Sequence, residues 1–183
     1  MPIPQSAIDP VVIRLSRVED VPAIQYIYAH HVLHGLASFE LEPPDEDEIA
    51  RRRLAVVNAG YPYFVAERNG DVLGYAYAGP YRTRPAYRFT CENSVYIRHD
   101  HARQGIGRRL LDALIPACEA RGLRQIVAVI GDSANLASIE LHRRAGFTMI
   151  GVIHASGYKA GRWVDTVLMQ RALGAGDTAS PAT

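Results

Sequence analysis

The chain has 183 residues, 48% of them hydrophobic, with two cysteines and a formal net charge of +1. Its length favours one domain with a substantial core. Its scattered basic residues and the lack of an apolar run of roughly 18 residues argue against nucleic-acid and membrane partners. The N-terminus has no signal-peptide pattern, and two packed thiols suit a reducing compartment. We therefore expect a cytoplasmic protein.

The first elements are a strand and an amphipathic helix. Residues 11–15 (Val-Val-Ile-Arg-Leu) are mostly apolar and rich in β-branched side chains, which predicts a strand. Ser16 and Glu19 have the spacing of a capping box, so we expect them to begin the first helix. Apolar residues at helical spacing follow, namely Val21, Ile24, Ile27 and Tyr28.

A second helix and a hairpin come next. Asp45 is expected to cap this helix, which ends at Gly60. Its predicted apolar face contains Ile49, Leu54 and Val57. Residues 63–67 and 72–78 flank Asn69-Gly70-Asp71, a strong hairpin signal.

The second half alternates strands and helices after a loop rich in tyrosine and arginine. The predicted elements are a strand at 89–97, a helix at 107–121 that contains Pro116, a strand at 125–130, a helix at 134–145 and strands at 147–155 and 163–171. The order β-α-α-β-β-β-α-β-α-β-β indicates an α/β domain around a mixed sheet. We expect this domain to span 11–172 and residues 173–183 to form a disordered tail.

A glycine turn lies between the strand at 89–97 and the long helix. Gly105 and Gly107 allow a ligand to approach the backbone closely. The helix that follows presents free N–H groups and a positive dipole end, which suits a phosphate. Many such turns only join a strand to a helix, so the neighbouring motifs decide between the two readings.

Four segments in order give the chain its resemblance to a known family. They are Tyr81-Arg-Thr-Arg-Pro-Ala-Tyr-Arg88, Glu92-Asn-Ser-Val-Tyr-Ile97, Leu141-His-Arg-Arg-Ala-Gly-Phe147 and Gly157-Tyr-Lys-Ala-Gly-Arg-Trp-Val-Asp165. With them the chain resembles the GCN5-related N-acetyltransferase (GNAT) superfamily, in its phosphinothricin and methionine-sulfoximine acetyltransferase branch. The resemblance implies the GNAT fold, an α/β architecture with a central mixed, mostly antiparallel sheet flanked by helices and with splayed central strands.

The resemblance also implies an acetyl-CoA site. Carried over, the strand residues Val95, Tyr96 and Ile97 line the pantetheine arm and thioester. The pyrophosphate is expected to contact Arg103, Gln104, Gly105, Ile106, Gly107 and Arg108. Asn135 is expected to bind the pantetheine, to cap its helix, or both. The superfamily usually has Gln or Arg and then Gly where this chain has Ala102 and Arg103.

Glu92 is the expected general base. An α-amino group titrates near about 8, so it must lose a proton before it attacks a thioester. A nearby carboxylate can take that proton, and burial raises its pKa toward neutrality. From the residues alone, a half-exposed strand glutamate is the simpler interpretation, and the resemblance favours the base.

His142 is the expected acid that returns a proton to the departing thiolate. It lies where many relatives carry a tyrosine, and histidine titrates near about 6.5. Water is the alternative proton source. A histidine on a helix surface is the equally weighted structural reading.

The acceptor's carboxylate is expected to meet arginines of the Tyr81–Arg88 loop. Arg82 and Arg84 can bind it bidentately. The remaining expected substrate contacts are Thr83, Asn93, Ser94 and Lys159. Exposed loop arginines are most often simply solvated, so this assignment depends on the resemblance.

The implied activity is acetylation of the α-amino group of phosphinothricin, methionine sulfoximine or methionine sulfone by direct attack in a ternary complex. The alternatives are another amine, such as a polyamine, an aminoglycoside or a protein N-terminus, and a non-catalytic acyl-CoA sensor. The resemblance implies a homodimer. His30, His31 and His34 lack a recognised ligand pattern, so we expect no metal.

Overall fold

Seven strands and four α-helices alternate along residues 9–181, the part of the chain that a computed structural model describes. The strands are β1 (Val12–Leu15), β2 (Tyr63–Arg68), β3 (Asp71–Pro80), β4 (Thr90–Ile97), β5 (Gln125–Gly131), β6 (Thr148–Lys159) and β7 (Arg162–Ala172). The helices are α1 (Val21–His34), α2 (Glu46–Asn58), α3 (Ile106–Ala120) and α4 (Leu136–Arg144). This is the element order predicted from the sequence. None of these helices has the length and apolar character that crossing a bilayer requires.

The strands form one sheet in the order β1-β2-β3-β4-β5-β7-β6. All neighbours are antiparallel except β4 and β5, which are parallel. The β4–β5 ladder stops at Asn93 and Ala128, although β4 continues to Ile97 and β5 to Gly131. We call this divergence of Ser94–Ile97 from Val129–Gly131 the fork. It confirms the predicted splay of the central strands.

Helices cover both faces of the sheet and bury two apolar cores. On one face α3 contributes Leu110, Leu111, Leu114 and Cys118, all buried as the helical periodicity predicted. On the other face α1 and α2 pack over β2 and β3. Burial of one leucine contributes about 1.5–3 kcal/mol, so these helices hold the central strands firmly.

The hairpin between β2 and β3 confirms its sequence signal. Asn69 and Gly70 form the two-residue turn with φ angles of 55° and 86°. Both residues are in the left-handed region, which a type I′ turn requires and which Asn and Gly tolerate best.

The predicted capping box at Ser16 and Glu19 is wrong. α1 begins at Val21, and the buried acid before it is Asp20, whose carboxylate accepts a hydrogen bond from the backbone N–H of Arg17 at 2.7 Å. Asp20 also binds Arg14 on β1 at 2.7 Å. This ion pair with the preceding strand, which the capping-box pattern does not encode, fixes how the helix begins.

Helix α2 has the predicted cap but not the predicted apolar face. Asp45 accepts a hydrogen bond from the N–H of Glu48 at 2.8 Å, which confirms the cap. Ile49 is buried, whereas Leu54 is 54% exposed and Val57 is 40% exposed. The helix instead turns Arg53 inward, where Nε donates to Ser16 Oγ at 2.9 Å. Fewer side chains of α2 are therefore buried against β2 and β3 than the spacing of its apolar residues predicted.

The described part of the tail is tied to the domain. Leu173 belongs to the core on the α3 face. Arg124 donates hydrogen bonds to the carbonyl oxygens of Gly176 and Ala179 at 2.9 and 2.8 Å. Its last two residues lie outside the described range.

Candidate active site

Strand β4 turns alternate side chains toward opposite faces of the sheet. Tyr96 packs with the core under α1 and α2, whereas Cys91 and Val95 pack with the core under α3. Since strand side chains alternate, Glu92 and Ser94 lie on the Tyr96 face and Asn93 lies on the Cys91 face. We call these the acceptor face and the cofactor face. The predicted site residues of β4 are thus divided between the two faces.

Glu92 is half-buried on the acceptor face, one position before the β4–β5 ladder ends. Burial raises the pKa of its carboxyl group above the ordinary value, and the positive charge of Arg82 partly opposes that shift. Its carboxylate is therefore a better base than that of an exposed glutamate.

The Tyr81–Arg88 loop borders Glu92. Arg82 is exposed, and its guanidinium lies 5.1 Å from the centroid of the Tyr81 ring. The carbonyl of Arg84 accepts a hydrogen bond from the N–H of Tyr87 at 3.0 Å, which closes a short 3₁₀ turn. Arg82 lies close enough to Glu92 for its charge to lower the pKa of that carboxyl group, while Thr83 and Arg84 are exposed in the same loop.

Residues 35–45, between α1 and α2, cover part of the acceptor face. Lys159 is only 8% exposed, and its Nζ donates to the carbonyl oxygen of Ser38 at 2.6 Å. Burial lowers the pKa of this lysine. Gly157 lies so close to Phe39 that a Cβ at this position would come within 2.5 Å of the Phe39 ring. The predicted substrate residue Lys159 therefore holds this loop on β6.

A cavity of about 220 Å³ lies beneath the acceptor face, and the sequence analysis missed it. Its walls are Tyr28, Glu40, Ile49, Arg52, Arg53, Val56, Tyr63, Tyr75 and Tyr77. Tyr28 donates to Glu40 at 2.9 Å, and Arg52 binds the same carboxylate at 2.6 Å. The signal available in the sequence was the alternation of Tyr75 and Tyr77 on one strand, which indicates a shared face but not a cavity.

The glycine turn presents main-chain N–H groups at the start of α3. Gly105 is the N-cap, has a φ of 77°, and provides no side chain to cap the helix. A Cβ there would meet nothing within 4 Å, so the conformation, not crowding, requires glycine. Ile106 and Gly107 are buried, and Gln104 is exposed. Uncapped first-turn N–H groups form a suitable anion site.

The side chain of Arg108 is directed away from this turn. Its Nε donates to Asp112 at 2.7 Å, and its Nη1 donates to the carbonyl oxygen of Arg144 at 2.7 Å. Its guanidinium is therefore already engaged, and its main-chain N–H is the group offered to an anion.

His142 is buried against the cofactor face, not exposed on a helix surface. It is 2% exposed and contacts Asn93, whose Nδ2 lies 2.9 Å from its Nε2. Its Nδ1 lies 2.8 Å from the carbonyl oxygen of Ser138. Burial lowers the pKa of the imidazole, which favours its neutral form.

Asn135 caps α4, one of the two roles expected for it. Its Oδ1 accepts from the N–H of Ser138 at 3.2 Å. Asn135, His142 and Asn93 also line a small cavity of about 50 Å³ at the fork, together with residues 94–96 and 128–131.

The histidines of α1 have structural contacts. The ring of His31 lies 2.8 Å, through Nε2, from the carbonyl oxygen of Ile97, and His30 stacks on His99 with centroids 4.0 Å apart. No cluster of three His, Cys, Asp or Glu suited to a metal ion occurs within residues 9–181.

Comparison with known proteins identifies the family. The sequence model described as the acetyltransferase (GNAT) family matches residues 26–147. The chain belongs to the GNAT family. Phosphinothricin N-acetyltransferase of Alcaligenes faecalis is 56% identical over 169 residues, covering 92% of this chain and 86% of the relative. The L-methionine sulfoximine/L-methionine sulfone acetyltransferase of Salmonella typhimurium is 41% identical over 165 residues, covering 88% and 94%.

A solved GNAT structure has the same fold. The phosphinothricin acetyltransferase of Sinorhizobium meliloti, crystallised in complex with AcCoA, superposes with a TM-score of 0.91 at 44% identity. The match covers 94% of this chain and 93% of that one. The seven-stranded mixed sheet with its fork is therefore the GNAT fold that the sequence predicted.

The departure of this GNAT chain at Arg103 has a structural consequence. Arg103 stands where the superfamily usually has glycine, and it adopts a φ of 60°. This left-handed conformation is one that glycine adopts without strain. The backbone geometry of the turn is thus maintained with an exposed, positively charged side chain in place of a hydrogen atom.

Proposed function

We propose that the protein transfers an acetyl group from acetyl-CoA to the α-amino group of a phosphinothricin- or methionine-sulfoximine-type amino acid. The observation that carries this proposal is the position of Glu92, a half-buried carboxylate beside the point where β4 leaves β5. The named activities of the Alcaligenes and Salmonella relatives support this acceptor class.

The described residues suit the cofactor. The fork leaves main-chain groups of Val95–Ile97 without partners on β5, which suits the amides of a pantetheine arm. The uncapped start of α3 suits a diphosphate. When bound, acetyl-CoA supplies the acetyl group as a thioester.

Glu92 takes the proton that the acceptor must lose. An α-ammonium group with a pKa near about 8 is mostly protonated at neutral pH, so a base is needed before attack. Arg82 orients the acceptor through its carboxylate, and Thr83, Ser94 and Arg84 complete that side. Main-chain N–H groups at the fork polarise the thioester carbonyl.

The leaving sulfur lies on the His142 side of the sheet in this mechanism. Because Nδ1 of His142 faces a carbonyl and Nε2 faces the Asn93 amide, the neutral ring has no spare proton directed into the cavity. His142 therefore returns a proton to sulfur only after Nε2 gains one. Water is the other source.

Direct transfer is favoured over an acetyl-enzyme. Cys91 and Cys118 are both buried free thiols. The adjacent Cys118 thiol and burial raise the pKa of Cys91, so it stays protonated. Cys91 also lies on the face opposite Glu92. Buried, unoxidised thiols fit the cytoplasmic location expected from the sequence.

Cationic acceptors such as polyamines fit this site less well. Glu40, which lines the cavity on the acceptor face, is neutralised by Arg52 at 2.6 Å, and Glu48 on α2 is neutralised by Arg51 at 2.7 Å. A dication would need acidic groups that are not already paired.

A thiol-release assay of the purified protein with acetyl-CoA tests the proposal. We expect rapid release with phosphinothricin, methionine sulfoximine and methionine sulfone, and little with spermidine or an aminoglycoside. Release with the cationic amines alone would contradict the acceptor class. Binding of acetyl-CoA without release for any amine would instead support the sensor alternative.

We also propose a homodimer formed through β6 and its hairpin. This edge strand exposes the apolar side chains Met149, Ile150, Ile153 and Tyr158, and Trp163 is exposed beside them on β7. Large exposed apolar patches mark interaction sites. Sedimentation velocity should show a dimer that Ile153→Asp dissociates, whereas Leu15→Asp, at an exposed leucine on β1, should leave it intact. A monomeric wild-type protein would refute the interface.

A further inference from the structure

Asn93 has one partner and one unpaired atom on the cofactor face. Its side chain is 4% exposed, and its amide nitrogen lies 2.9 Å from Nε2 of His142. Its Oδ1 is buried and has no hydrogen-bond partner. A buried, unpartnered amide oxygen is costly in a folded protein, so its position requires an explanation.

The contacts of His142 fix the orientation of this amide. A carbonyl oxygen can only accept, so the 2.8 Å contact between Nδ1 and the Ser138 carbonyl places the ring proton on Nδ1. In the neutral ring Nε2 is then an acceptor, and its neighbour must be the donating –NH₂ of Asn93. The Asn93 oxygen is therefore directed away from His142.

The oxygen has room for a donor beside it. Asn93 and His142 line the cavity of about 50 Å³ at the fork, whose walls also include Val95 and Ile130. The described residues place no donor on Oδ1. A molecule that enters the fork with an N–H group would satisfy it.

We propose that Asn93 is a positioning residue with two functions: it holds His142 in its neutral, Nδ1-protonated form, and it accepts a hydrogen bond from an amide N–H of the pantetheine arm. This goes beyond the substrate contact expected of Asn93 and rests on the proposed use of acetyl-CoA. The two halves of the amide thus join the His142 ring to the cofactor arm.

The first test examines the ring in the ligand-free protein. In ¹⁵N NMR spectra at neutral pH, His142 should show a protonated Nδ1 and an unprotonated Nε2. In Asn93→Asp the donor becomes an acceptor, so Nε2 should become protonated as well. A proton on Nε2 and none on Nδ1 in the wild-type protein would overturn the proposed arrangement.

The second test separates the arm from the diphosphate. Calorimetry should show that Asn93→Leu weakens CoA binding by roughly tenfold or more, since an arm N–H loses its acceptor. Binding of 3′-phospho-ADP, which lacks the arm, should be unchanged. Equal losses for both ligands would show that Asn93 only supports the fold and would overturn the proposal.

A control and a second variant distinguish a specific role of Asn93 from a general loss of folding or of cofactor binding. Cys91→Ala changes a buried side chain on the same face of β4 that does not line the fork cavity, so it should leave CoA affinity unchanged. If Asn93→Leu fails to fold, Asn93→Ser retains a polar group and should show a smaller, arm-specific loss. If wild-type protein binds neither CoA nor 3′-phospho-ADP, the proposed function fails; an arm-independent loss rejects only the role of Asn93.

Discussion

The acceptor and cofactor faces of β4 differ in charge: one carries a carboxylate near an arginine, and the other carries neutral polar side chains. Glu92 on the acceptor face lies near Arg82, and the same face borders a tyrosine-lined cavity. Asn93, the next residue, lies on the cofactor face beside a neutral, buried histidine. Because side chains alternate along a strand, β4 presents different groups to the amino-acid acceptor and to acetyl-CoA, which must meet beside it.

Burial affects the two titratable groups in opposite directions. It raises the pKa of the Glu92 carboxyl and lowers the pKa of the His142 imidazole, because in both cases it disfavours the charged form. The carboxylate becomes a stronger base, while the imidazole becomes a weaker proton carrier. The acceptor face is therefore suited to take a proton, whereas the cofactor face is suited to hold a ligand.

The largest effect is expected for Glu92→Gln, which removes the base. We expect kcat to fall by roughly 10²–10⁴ while CoA affinity stays unchanged. Since the basic form is active and burial raises the pKa of Glu92 above 4.5, wild-type kcat should decline as pH falls through that raised value. The exposed Glu119→Gln is the control. A variant with wild-type kcat at every pH would show that Glu92 is not the base.

A smaller effect is expected for Arg82→Ala in the loop beside Glu92. Loss of a charge-assisted hydrogen bond of about 1.5–3 kcal/mol should raise KM for the amino acid by roughly 10–100-fold. Steady-state kinetics at saturating acetyl-CoA measures this change. Arg88→Ala is the matched control, because that guanidinium stacks on Phe89 at 4.4 Å. Equal KM changes in both variants would argue against a specific role for Arg82.

Gly105→Ala tests whether the diphosphate binds at the start of α3. At a φ of 77° an alanine costs about 1 kcal/mol, so Tm should fall slightly. Gly122→Ala is the matched variant, with a φ of 84° and equally open surroundings. Both should lose similar stability, but only Gly105→Ala should weaken CoA binding, by roughly threefold to tenfold. Equal affinities would place the diphosphate elsewhere.

The smallest effect is expected for Cys91→Ala, one position from Glu92 on the opposite face. If transfer is direct, the thiol has no chemical part, and kcat should stay within about twofold of wild type while stability falls by about 1–2 kcal/mol. Thiol release and thermal melting check the two numbers. A loss of activity comparable to that of Glu92→Gln would instead support an acetyl-enzyme.

Local signals predicted most of the elements. The Asn69-Gly70 turn, the Asp45 cap and the apolar side of α3 follow from neighbouring residues, and all three were confirmed. The start of α1 did not follow, because Asp20 pairs with Arg14 of the preceding strand and the expected Ser16–Glu19 box does not form. The apolar face of α2 was also wrong, since periodicity indicates which residues share a face and not how wide the packed stripe is.

The sequence by itself determined the family, the element order and the residues around the site, because these depend on motifs and on short-range backbone preferences. Only the tertiary structure decided which face of the sheet each of Glu92 and Asn93 is on, that His142 is buried against Asn93, and that Lys159 binds the Ser38 carbonyl. Those features arise where segments far apart in the chain meet. Burial and hydrogen-bond partners set the pKa and the orientation of each side chain, and both depend on contacts between these distant segments.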